Sequence, residues 1–170
     1  MQKTHTSAAP HVMDRAELEA QPTHDLLAQL SEVHHRHVSE VLPFLIPLSH
    51  KVMRVHGSRH ANLREVHELV VELEETLDPL LDWREKELFP LMLSGTGTHL
   101  HTELQAMVAA HMVVSRLFEQ LREAADDYLL PADACNSYRL LYQELQALEA
   151  EQLTQMRLEQ HVLMPRFAEA

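Results

Sequence analysis

The sequence predicts an all-α protein, an up-down-up-down four-helix bundle built from two similar helix hairpins. Three observations predict it. Glycine is scarce, 3 in 170 residues, while Leu, Ala and Glu abound, which favours helix over sheet. Apolar residues recur at the helical period and not at the period of two that strands require. A motif recurs: Leu88-Phe89-Pro90 returns as Leu163-Met164-Pro165, an offset of 165 − 90 = 75, and His35 and His111 lie 111 − 35 = 76 apart.

The elements follow in order. Residues 1–22 read as a flexible leader, with a short helix at Asp14 to Ala20. Residues 23–170 form the bundle. Pro22 and Thr23 mark a helix start, and the first long helix runs over about 24–56. Pro43 and Pro47 are expected to kink or break it, and Gly57-Ser58 stops it. The second helix covers about 61–91, with a kink at Pro79, and carries the stripe Leu73, Leu77, Leu80, Leu81 and Leu88. Ser94-Gly95-Thr96-Gly97 is a turn. The third helix, about 99–126, carries Leu104, Met107, His111, Val114, Phe118 and Leu121 on one face. A loop with Pro131 leads to the fourth helix, about 135–164.

Composition narrows the function. A chain of 170 residues is long enough for one domain with a core. The formal charge of −12 argues against nucleic acid and anionic membrane as partners. No apolar run approaches a membrane span. Residues Met1 to Pro10 lack the apolar stretch of a secretory signal, and the single Cys135 fits a reducing cytoplasm, which is the expected location. Cys135 itself reads as a quiet structural thiol. Nucleophile-elbow, phosphate-loop and catalytic Cys–His motifs are absent from the sequence pattern, so it assigns no enzyme activity.

Histidine is over-represented, 14 of 170. Counting residues from each hairpin turn places His35, Leu80, Arg84, His111, Gln155 and Glu159 in one layer, with 80/84 and 155/159 each one helical turn apart. His34 and His37 are expected to be exposed neighbours of His35. His60, His67, His99 and His101 are expected at the surface.

Four segments carry a resemblance: HHRHVSEVLPFLIPLSHKVMRVHG (34–57), REKELFP (84–90), PADACNSYRLLYQEL (131–145) and LEQHVLMPR (158–166). The chain resembles the di-iron iron–sulfur cluster repair proteins of the hemerythrin-like superfamily. The resemblance implies a His on the first helix of each hairpin and His-x-x-x-Glu on the second, with the two carboxylates bridging two irons. His35, His111 and Glu159 match ligand positions. Leu80 and Gln155 stand where histidines belong, and Arg84 stands where the other bridging Glu belongs. His56 also matches a family histidine and is a second-choice ligand.

Two expectations follow. In one, the protein serves nitric oxide or oxidative stress responses and iron–sulfur cluster repair. Its eroded centre then holds at most one metal ion, a mononuclear iron that binds a small diatomic ligand, or none. A di-iron centre is not expected, because a guanidinium repels two cations. In the other, the bundle is a metal-free regulatory or partner-protein-binding module with an Arg84–Glu159 pair in place of the metals.

Overall fold

Long runs of Leu, Glu, Gln and Ala with few Gly make helix the cheapest backbone state, and helix is what forms. The structure, a computed structural model, describes residues 15–95 and 99–167, and no strand occurs among them. The elements are α1 (Arg15–Ala20), α2 (Thr23–Arg36), α3 (Leu42–His56), α4 (Leu63–Trp83), α5 (Phe89–Ser94), α6 (Leu100–Ala124) and α7 (Asn136–Leu158). A single π turn, His37–Val41, joins α2 to α3; another, Arg84–Leu88, joins α4 to α5; a third, Glu159–Leu163, follows α7. A 3₁₀ turn at Met164–Phe167 completes the described chain. α3 packs on α4 and α7, α4 on α6, and α6 on α7, which makes a helical bundle.

Of the expected kinks or breaks at the prolines, the breaks do not occur. Pro43 and Pro90 sit in the first turn after a π turn, and Pro47 and Pro79 lie inside continuous helices. The reason is local. A helical proline clashes with the carbonyl four residues earlier and cannot donate to it. Ahead of Pro43, Pro90 and Pro165 the chain widens by one residue: Leu42 N–H donates to His37 O, Phe89 N–H to Arg84 O, and Met164 N–H to Glu159 O. Each of these bonds spans five residues, the π pattern, which frequently marks functional sites.

Two apolar cores result. The larger contains Leu45, Val52, Val66, Leu73, Phe118, Leu121, Leu141 and Leu145. The smaller contains Leu26, Leu30, Leu88, Met107 and Leu163. Along each arm the chain passes from one core to the other through buried polar side chains, so the polar layer lies between them.

At the N-terminal side, residues 1–14 of the expected leader lie outside the described residues. The part that is described is anchored: Arg166 donates to Gln21 O, Leu18 O, Glu19 O and Thr23 Oγ1, and Leu18 packs on the smaller core. In the expected turn at 94–97, Gly95 takes φ +62°, the left-handed C-cap that glycine adopts without a Cβ penalty; residues 96–98 lie outside the described set. After α6, Asp126, Asp127 and Tyr128 are all left-handed, and Tyr128 Oη donates to Glu149 Oε2 at 2.9 Å. No helix of the described residues is long and apolar enough to cross a membrane.

Candidate functional site

The polar layer is built where the π turns begin. His37, Arg84 and Glu159 are the first residues of their π turns, and each stands six residues ahead of a proline: 43 − 37, 90 − 84 and 165 − 159 all equal 6. The widened turn shifts the phase of the arm, so one extra polar side chain enters the interior from each. His111 joins them from the regular helix α6.

Arg84 lies at the centre and is only 3% exposed. Its Nη2 donates to Glu159 Oε2 at 3.0 Å and lies 3.3 Å from His111 Nε2. Its Nη1 lies 3.0 and 2.8 Å from the two ring nitrogens of His34. Glu159 is fully buried; its Oε2 also accepts from His111 Nε2, and its Oε1 lies 3.7 Å from His34 Nε2. Gln160 Nε2 donates to His111 Nδ1 at 3.2 Å, which leaves the His111 proton on Nε2, facing the carboxylate. Beside this group, Gln152 Nε2 donates to His37 Nδ1 at 2.7 Å, and His37 Nε2 donates to Glu151 Oε2 at 2.7 Å.

The electrostatics of the layer are internally balanced. Burial, reinforced by Arg84, pushes His34 down to about 3, so it is neutral and can accept from the guanidinium. Burial raises Glu159, but Arg84 and the His111 hydrogen bond outweigh it and hold the carboxyl below the usual range. Burial lowers Arg84 from its ordinary value and Glu159 partly restores it. Burial lowers His37 as well, against the pull of Glu151. One cation and one carboxylate therefore meet out of water, with imidazoles filling the remaining sites.

Several sequence expectations need correction. His35 does not enter the layer: its side chain is 56% exposed and pairs with Glu85 at 2.9 Å. His34 and His37, expected at the surface, are buried instead. The helical phase explains the exchange. Leu26 and Leu30 face inward, and one further turn from Leu30 is His34, with His35 rotated away by about 100°. Gln155 is half-buried with its Oε1 unpartnered among the described residues, while Gln152, three residues earlier, does the hydrogen bonding. Leu80 lines a void of about 10 Å³ with His34, Val38, Leu77, Leu81, Arg84 and Gln152, at the lower limit for one water molecule. His56 is buried at the end of α3 beside Cys135, away from Arg84 and Glu159. His111, Arg84 and Glu159 are together, as the internal repeat implies. Sequence reasoning missed His34, His37 and Gln152; the leucine phase of α2 and the proline offset were the signals that point to the first two. Among the described residues, no group of three or more His, Cys, Asp or Glu side chains is arranged to hold a metal ion.

Comparison with known proteins shows the family. Residues 25–167 match the hemerythrin HHE cation-binding domain. The iron-sulfur cluster repair protein YtfE of Musicola paradisiaca (strain Ech703) is 31% identical over 150 residues, covering 86% of this chain and 66% of that protein. The iron-sulfur cluster repair protein ScdA of Staphylococcus haemolyticus (strain JCSC1435) is 27% identical over 147 residues, covering 84% and 66%. YtfE of Edwardsiella ictaluri (strain 93-146) is 27% identical over 177 residues, covering 94% and 80%. The chain thus spans just under two thirds of the length of the first two relatives. The domain match covers most of the chain, and the chain belongs to the hemerythrin HHE cation-binding family.

Proposed function

We propose that the chain serves iron–sulfur cluster repair or the nitric oxide and oxidative stress response, as an up-down-up-down bundle whose centre holds at most one metal ion. The family match and the repair proteins among its relatives support the first part of this reading; the observation that carries the limit of one metal ion is the place of Arg84, whose guanidinium contacts His34, His111 and Glu159 at once.

A pair of iron ions does not fit this donor set. Two irons bridged by carboxylates need an acidic residue from each hairpin; here one acidic residue remains and the other position carries a permanent cation. Both ring nitrogens of His111 are engaged, by Glu159 and Gln160, and both of His34 face Arg84. The void beside Leu80 has no room for a cation with its ligands.

One metal ion is compatible only with Arg84 withdrawn. His34, His111 and Glu159 would then hold it, and Glu159 Oε1, which has no hydrogen-bond partner among the described residues and lies 3.7 Å from His34 Nε2, favours that variant. Such an ion supplies an open coordination position for a small diatomic ligand. The second reading keeps Arg84 in place and makes the bundle a metal-free module that binds or regulates a partner protein; the Arg84–Glu159 pair at 3.0 Å favours it. On either reading the protein works in the cytoplasm, without nucleic acid or membrane as partner.

Elemental analysis of protein purified without a His-tag tests the proposal. The expected content is one metal ion per chain or less after anaerobic loading, and two irons per chain overturn it. Stoichiometric single-metal binding removes the metal-free reading; none removes the mononuclear one. The variant Leu80→His/Arg84→Glu/Gln155→His restores the family ligand types and is expected to raise the iron content above that of the parent. A folded triple variant that takes up no iron refutes this layer as the ancestral metal site.

A further inference from the structure

The turn between α3 and α4 carries charge of the opposite sign to the rest of the chain. Residues 50–67 hold Lys51, Arg54, Arg59 and Arg64 against the one acidic Glu65, a net 4 − 1 = +3 in a chain of formal charge −12. A cleft of about 710 Å³ opens beside this turn, lined by His50 and Arg54 of α3, Ser58 of the turn, and Arg64, His67 and Glu68 of α4. The polar layer at the bundle centre contributes nothing to its walls. Arg36, Arg59, Arg84 and Arg122 each meet a carboxylate. Arg54 and Arg64 meet none among the described residues, although acidic side chains outnumber Lys and Arg by 26 to 14. Two guanidiniums from two helices thus face one cleft with their donors open to an anion from outside.

The histidine wall of the cleft is a separate observation. Ser49 is 1% exposed, and its hydroxyl donates to Ile46 O at 2.9 Å, a local bond that helical serines make. Its oxygen therefore accepts from Nδ1–H of His67, 2.8 Å away, and Nε2 of His67 is the nitrogen without a proton. Burial, with His50 alongside, lowers His67, so this lone pair persists at neutral pH. The His50 ring stands 5.3 Å from the His67 ring, tilted by 55°. Glu68, one turn beyond Arg64, lines the cleft without ion-pairing to either arginine. The walls therefore combine permanent cations with two acceptors, the His67 imidazole and the Glu68 carboxylate. That combination suits an oxyanion that has kept one proton: its charged oxygens accept from the arginines and its O–H donates to an acceptor.

We propose that the α3–α4 cleft binds a phosphate group, as free hydrogen phosphate or as the monoester of a small molecule. Arg54 and Arg64 donate to its charged oxygens, and the P–O–H donates to Glu68 or to His67 Nε2. A fully ionised oxyanion such as sulfate has no proton to give and sets its charge against Glu68. The volume of about 710 Å³ lies within the range of small-molecule sites, and Met53 and Ala61 on the same walls leave room for an organic group on the phosphate. The site is independent of both readings of the bundle centre, since it shares no residue with that layer.

The test is isothermal titration calorimetry on the full chain without a His-tag, at neutral pH in a buffer free of phosphate and sulfate. Inorganic phosphate is expected to bind once per chain with a dissociation constant of ~1 mM or tighter. Sulfate is expected to bind at least ~5-fold more weakly. Arg54→Gln/Arg64→Gln changes two exposed positions and is expected to weaken phosphate at least ~10-fold, with circular dichroism unchanged. Arg116→Gln/Arg157→Gln removes the same charge from exposed positions elsewhere and is expected to bind phosphate as the parent does. Glycerol phosphate as a second probe separates the two sources: binding tighter than that of phosphate assigns the ester, and weaker binding assigns the free anion. The proposal is overturned by phosphate binding that is absent at ~10 mM, that sulfate equals, or that the control pair weakens as much as Arg54→Gln/Arg64→Gln does.

Discussion

At the bundle centre, His34 and His111 meet a guanidinium and a carboxylate, all of them sealed from solvent. At the α3–α7 end, His56 is equally buried, but the atom it addresses, Cys135 Sγ, is open to solvent. The two regions use the same residue type with opposite consequences. At the centre, the ring nitrogens of His34 and His111 are committed to protein partners, and the charges cancel locally. At the end, one nitrogen is unpartnered among the described residues and the other faces a solvent-exposed sulfur. Burial of the whole group commits histidine to protein partners as acceptor or donor; burial of the ring alone leaves its neighbour open to solvent.

The largest expected effect breaks the centre. Arg84→Leu strands Glu159 in an apolar interior and should cost ~3–5 kcal/mol, read as a lower urea midpoint. Arg84→Leu with Glu159→Leu should recover much of that loss, because a well-packed apolar replacement need not be less stable than the ion pair. An Arg84→Leu single variant as stable as the parent would show that the pair does not hold the layer.

A smaller effect appears with pH. In the unfolded chain His34 takes its proton near the ordinary histidine value of 6.5, but in the folded chain only at about 3. As pH falls through that window the unfolded state gains a proton that the folded state refuses, so stability falls. Glu159 acts in the same direction, since a carboxyl held below its usual range contributes stability that is lost as pH falls through its folded value. At pH 5 the His34 contribution amounts to ~2 kcal/mol relative to pH 7. His34→Gln, which keeps an acceptor for Arg84, should flatten the slope in urea melts between pH 7 and 5; an unchanged slope refutes the neutral, buried assignment.

Smaller still is the anchor outside both regions. Arg166→Ala removes the donors to Leu18, Glu19 and Gln21 and should cost ~1 kcal/mol, with α1 becoming the first site of limited proteolysis. The least effect belongs to the exposed pair of Lys86 and Asp82 on the helix surface, where Lys86→Gln should leave the urea midpoint unchanged.

The sequence by itself determined the helical class, the helical arms and the residues Arg84, His111 and Glu159. It did so because apolar period, helix propensity and glycine placement are local properties, and because the repeated Leu-x-Pro endings fix Arg84 and Glu159 in equivalent places. Even Leu42-Pro43 carried the same punctuation for His37. Only the tertiary structure decided which of the adjacent histidines 34, 35 and 37 faces inward, since a single residue is a rotation of about 100° and the π turns alter the phase. Only the tertiary structure brought His56 to Cys135, 135 − 56 = 79 residues away, because that contact depends on α3 packing against α7. The charge state of the centre was equally out of reach: His34 is neutral and Glu159 ionised because of what surrounds them in the fold, and burial and neighbouring charge are properties of the packed chain.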